Sequence, residues 1–211
     1  MSTQDKMMKE RLETLQKYVS DMIAVEDHIA TAVNRQAEHE DVYKHHPQAS
    51  QIIHSIAQMT EQHANHLKQH LDALGGDSAK GLKEVASAAL GAVAGMYDKV
   101  RNETVSKMLR DDYTALNLAA VSYTMLHTTG LALQDQRTAD IALQHLKHYT
   151  NIIMQINQII PNVVVNDLRD DVPSINDASV QQAMQNTQDA WKPSNDGGSY
   201  QSLGGTANRT I

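Results

Sequence analysis

Cysteine and phenylalanine are both absent from this chain. Without cysteine there are no disulfides and no thiolate ligands, so any metal site must be built from nitrogen and oxygen donors, and the redox compartment stays open. Without phenylalanine, and with one tryptophan and seven tyrosines in 211 residues, Met, Leu, Ile, Val and Ala must fill the core, which suits helix packed on helix. Proline is scarce where it would matter most: between Met1 and Ile160 only Pro47 occurs, so long helices meet no breaker. Long apolar runs are missing. "VASAALGAVAGMY", Val85–Tyr97, is too short to span a bilayer core of about 30 Å, so no membrane span is expected. The opening "MSTQDKMMKERLETL" is polar, with no apolar stretch of the signal-peptide kind, and the expected location is the cytoplasm. Basic clusters are also lacking, and the net charge is −7, which argues against a nucleic-acid partner. There is no glycine-rich phosphate loop, no G-x-S-x-G and no nucleophilic thiol.

What the sequence does have is helical period. Leu12, Leu15, Val19, Met22, Glu26, Ile29 and Val33 follow alternating spacings of three and four. A second segment opens at Pro47, suited to a first helical turn. It runs through Ile53, Ala57, Thr60, Ala64, Leu67, Leu71 and Leu74 to a stop at Gly75-Gly76. A third starts near Asn102, with Leu109, Asp112, Leu116, Ala119, Tyr123, Leu126, Gly130 and Leu133 on its seam. A fourth starts near Thr138, carries Ala142, His145, Tyr149, Ile152, Ile156 and Ile159, and is expected to be limited by Pro161. Short turns join the first to the second and the third to the fourth, so each pair should form an antiparallel hairpin. An Ala/Gly-rich crossover helix is expected near residues 78–98. The expected architecture is all-α: an antiparallel four-helix bundle over residues 1–168, made of two hairpins and a long crossover.

Residues 169–211 read as a mostly flexible polar tail, with one short helix expected near 178–191. Its end, "NDGGSYQSLGG", is a spacer followed by Tyr200 and Leu203, an arrangement that could dock a protein partner. A homodimer is left open.

The chemistry-bearing residues fall at mid-helix. Glu26 lies on an apolar seam, where a carboxylate costs several kcal/mol unless it is paired or bound to metal. It therefore either reaches water, bonds to a buried Tyr or His, or ligates an ion. In "TEQHANHLKQH", Thr60–His70, one acid and three histidines share a helix. In an antiparallel hairpin, residues equidistant from the turn lie at one level. That rule sets Glu26 opposite Glu61, His127 level with His145, and Tyr123 level with His148. A metal site assembled at this height would draw on Glu26, Glu61, His145 and His148, with Asp112 and His127 as further candidates, and would suit divalent iron, manganese or zinc. His63 is open between ligand and core hydrogen-bonding roles. His66 and His70 are expected on a solvated stripe, and His45 and His46 on the surface.

The words "AVEDHI" (24–29) and "MTEQHANHLKQHLDALGG" (59–76) resemble the first two helices of the small bacterial stress-associated proteins of the ferritin-like superfamily, over residues 10–160. The resemblance implies a ferritin-like bundle and iron chemistry: a divalent metal, iron or manganese, handled in oxidative or metal stress. If enzymatic, the activity would be ferroxidase- or peroxidase-like. Glu26 and Glu61 match the acids of the first two helices. The chain departs from the pattern at Ala64, where a histidine is expected, at Ala119, where a glutamate is expected, and at "HLKH" (145–148), where Glu-x-x-His is expected. The superfamily's di-iron set is thus incomplete, leaving a single ion, an altered site or an empty one. The alternative is a non-catalytic helical scaffold whose polar core residues pair with one another.

Overall fold

The computed structural model describes residues 2–38, 43–77, 104–172 and 174–192. Among the described residues there are five α-helices and no strand: α1 Thr3–Ala37, α2 Pro47–Ala73, α3 Val105–Ala132, α4 Gln136–Asp171 and α5 Ser179–Trp191. No described helix is long and apolar enough to cross a membrane. The chain divides into two compact units, Met1–Asn176 and Asp177–Ile211. The second contains α5, which buries none of its residues. The crossover segment expected at 78–98, the Asn102 cap and the tail end bearing Tyr200 and Leu203 lie outside the described residues.

Local chemistry sets the helix ends. Ser2 and Asp5 form a reciprocal capping box at the start of α1. Pro47 occupies the first turn of α2, where its missing N–H costs nothing. At the other end of α2, the Gly76 amide donates to the Leu71 carbonyl at 3.0 Å and the Gly75 amide to Asp72 at 2.9 Å. This cap needs a left-handed residue, and Gly75 supplies it with φ 75°. Asp135 caps α4 by accepting from the Thr138 amide at 2.8 Å.

In the first unit α1 packs on α2 and α3 on α4, while α1 also meets α3 and α2 meets α4. Gln16 reaches Leu74 and Asp27 reaches Lys68, so α1 and α2 run in opposite directions. Arg11 reaches Gln134, and Gln36 reaches Asp112, so α1 and α3 are also opposed. The shared core is aliphatic. Val19, Ile29, Ile53, Ile56, Leu67, Leu109, Leu116 and Leu126 are buried. The α1 seam becomes buried at Leu15; Leu12, one turn earlier, is exposed.

Helix α4 does not stop at Pro161 but continues for ten residues to Asp171. A proline inside a helix costs about 3 kcal/mol through a lost hydrogen bond and a clash with the preceding turn. Tertiary anchors offset this cost. Val163 and Val165 are buried. Asp167 accepts from the Ser106 amide at 2.9 Å and pairs with His46 at 3.2 Å. His46 is thereby buried rather than on the surface, as the sequence suggested.

The α3–α4 hairpin closes on Gly130, where an added Cβ would lie 2.6 Å from the Ala139 amide nitrogen and 3.0 Å from its Cα. The opposing atoms are backbone and cannot rotate away. Gly130→Ala is expected to destabilise the protein by about 1–3 kcal/mol, the usual cost of overpacking. A urea midpoint equal to or above that of the wild type would refute this account of the close approach.

Candidate metal centre

The seams of α1 to α4 meet at one buried polar cluster. Glu26 of α1 is fully buried, as the sequence anticipated, and its carboxylate accepts three hydrogen bonds. Tyr123 of α3 donates to Oε1. His63 Nδ1–H of α2 donates to the same oxygen at 3.1 Å. Tyr149 of α4 donates to Oε2 at 2.6 Å. Desolvation of the carboxylate is thus offset by oriented donors.

Donor arithmetic assigns the remaining protons. The Tyr123 hydroxyl proton is committed to Glu26, so at the 3.0 Å contact with His145 the imidazole Nδ1–H donates and the phenol oxygen accepts. The Nε2 lone pair of His145 then accepts from His66 Nδ1–H at 3.1 Å. Likewise His63 gives its Nδ1 proton to Glu26, and its Nε2 accepts from His148 Nδ1–H at 2.9 Å. In this assignment all four imidazoles carry a proton on Nδ1. His63 and His145 stack with centroids 3.8 Å apart and planes 6° from parallel.

The electrostatics favour neutral rings at His145, His148 and His66. Burial, reinforced by the neighbouring His63, His66 and His148, pushes the His145 imidazole down to about 2. Burial and His63 also lower His148. Burial, His63 and Arg137 lower His66. Burial, and then the Glu26 charge, drives the Tyr123 phenol well above its ordinary value, so it remains a donor.

Glu26, His63 and His145 can each offer one ligand atom, and these atoms all lie within 4.8 Å of one another. One carboxylate and two imidazoles are a donor set that suits divalent iron, manganese or zinc. The residues fit an ion in type and in reach. Binding would require each ring to free a lone pair from its present hydrogen bond and the stacked rings to part, so that lone pairs converge.

The other sequence candidates fall elsewhere. Glu61 is exposed and does not share the site with Glu26. The hairpin rule set it opposite Glu26, but His63 is the α2 residue that meets Glu26; Thr60 points inward, and the next residue is turned by about 100° around the helix. In the second hairpin the rule was off by several residues, since Tyr123 meets His145 and His127 meets Ala139. Asp112 is buried, but it accepts from Gln36 Nε2 at 3.0 Å. It lies eleven residues from Tyr123 on α3, roughly 16 Å along the axis. His127 is held by a 2.8 Å hydrogen bond to the Ala139 carbonyl. His148 sits at the exposed rim and touches the cluster through His63.

His66 and His70 do not lie on a solvated stripe. His66 is half-buried against His145, and His70 is buried with Nε2 2.7 Å from Thr138 Oγ1. Tyr149 was not anticipated as a partner. A signal for it existed: a phenol on a core seam needs an acceptor, and Glu26 is the carboxylate on the facing seam. No protein-family model matches the chain, and neither the curated proteins nor the solved structures contain a match.

Proposed function

We propose that this protein is a ferritin-like bundle that binds a divalent metal ion, iron or manganese, at Glu26, His63 and His145, and serves in metal or oxidative stress. The observation that carries the reading is the convergence of one buried carboxylate and two buried imidazoles from three helices. The chain direction adds support. α1 runs opposite to both α2 and α3, so the two hairpins are related lengthwise, as the resemblance in "AVEDHI" and "MTEQHANHLKQHLDALGG" implies. Iron or manganese would supply one-electron redox chemistry at such a site. The chain's own residues hold the carboxylate, fix the imidazole tautomers and exclude water from the inner side.

One observation favours a second reading, a non-catalytic scaffold: both Glu26 oxygens already hold tyrosine hydroxyls, so the core is satisfied without an ion. The two readings separate in one experiment. With Fe2+ or Mn2+ added anaerobically at about 100 times its dissociation constant, binding to the native state alone stabilises it by about 2.7 kcal/mol. For a unit of this size that is a rise of roughly 5–11 °C in melting temperature. The rise should vanish in Glu26→Gln. An unchanged melting curve, with no ion retained on desalting, leaves the scaffold.

A further inference from the structure

We infer that His66 and His148 form an outer imidazole station on the α2–α4 face, where a borderline divalent cation is captured from solvent and through which the Glu26 site is loaded. The inference rests on the metal-binding reading above and adds to it a route and a selectivity.

The route follows from exposure. Glu26 is sealed, and so are the two phenols that fill its oxygens, Tyr123 and Tyr149. Thr60 of α2 and Ala119 of α3 are equally closed. Along the hydrogen bonds that lead away from the Glu26 cluster, exposure rises toward two histidines. Along one chain of contacts it passes from Glu26 to buried His63 and then to exposed His148, with a 2.9 Å link between the two rings. Along the other it passes from Tyr123 to buried His145 and then to half-buried His66, with a 3.1 Å link. The two chains lie side by side because His63/His66 and His145/His148 are each three residues apart, which places each pair on one helix face. Each rim ring spends its Nδ1 on the inner histidine behind it. Its second nitrogen, Nε2, is left to meet a cation. The first donors an ion encounters are then imidazoles, which favour Fe2+, Co2+, Zn2+ and Cu2+ and discriminate against Mg2+ and Ca2+.

Stopped-flow binding of Co2+ to the full chain, followed by its visible absorption, tests this. The variant is the double replacement His66→Ala, His148→Ala, with a His66→Gln, His148→Gln pair as the second form if the alanine protein melts early. The expected result is an association rate lowered about tenfold or more, a dissociation rate lowered by the same factor, and a dissociation constant within about threefold of wild type. In Glu26→Gln the tight phase should be lost while a weak, fast phase persists that Ca2+ does not displace. An unchanged association rate overturns the route. A lost affinity at unchanged association rate also overturns it, because the rim residues would then be ligands or supports. No Co2+ binding by the wild type would sink the metal reading itself, and the route with it.

Discussion

Glu26→Leu should lower the melting temperature of the metal-free protein by about 6–20 °C, from a loss of about 3–5 kcal/mol at roughly 2–4 °C per kcal/mol for a unit of this size. A lone buried carboxylate would respond in the opposite way, since removing it relieves desolvation. Glu26 is not alone. Tyr123, Tyr149 and His63 donate to it, and leucine takes this shared acceptor from all three. The penalty belongs to the donors that lose it, so it should be recoverable. Adding Tyr123→Phe and Tyr149→Phe to Glu26→Leu removes two of them and should restore most of the stability, as apolar replacement of whole buried polar sets often does. Thermal melts of the single and triple variants decide the matter. A single variant that melts within about 2 °C of wild type, or a triple variant no better than the single, would show that the network contributes little.

The fold was legible where the sequence marks both the beginning and the end of an element. Pro47 and Gly75-Gly76 bracket α2 because each has a backbone role that few other residues fill. The third seam, read from Leu109 to Leu133, is the buried face of α3 as far as Gly130, because spacing alone decides which residues of a long helix share a side; Leu133 lies past the helix end and is half-buried. Pro161 misled for the converse reason. Its local cost is real, but Val163, Val165 and Asp167 anchor the turn beyond it, and those partners lie far away in sequence. The site was half legible. Glu26, a carboxylate on an apolar seam, marked the right level of the molecule. Glu61 did not belong there, because level fixes height and leaves rotation free. Rotation was also readable: seven residues at about 100° each return to within about 20° of the start, so His70 faces the same way as His63, and both are buried. Which nitrogen meets which oxygen could not be read, because it depends on side chains from four helices meeting at one point.

Acidification from pH 7.5 to 5.0 should lower the melting temperature of this protein. The folded state holds His145 at about 2, against 6.5 for the free ring, through burial and through His63, His66 and His148. A histidine with a depressed folded value stays neutral in the native state while the unfolded chain takes up its proton. Its contribution is therefore complete above about pH 6.5 and is lost progressively as the pH falls below that, by about 1.4 kcal/mol per unit. Between pH 6.5 and 5.0, His145 alone removes about 2 kcal/mol, or roughly 4–8 °C of melting temperature. His66, His70 and His148 are lowered in the same direction, each mainly by burial, and they steepen the fall. Asp21, raised by burial, has the opposite sign and offsets part of the fall. Calorimetry at pH 7.5 and 5.0 reads the effect, and imidazole nitrogen resonances show whether His145 is still neutral at pH 5.0. In His145→Gln the slope should shrink by about one proton's worth. A melting temperature flat across the window, or a His145 ring that charges near pH 6 while the protein stays folded, would mean that the stacked histidine pair is open to water and that the neutral-ring arrangement around Glu26 is wrong.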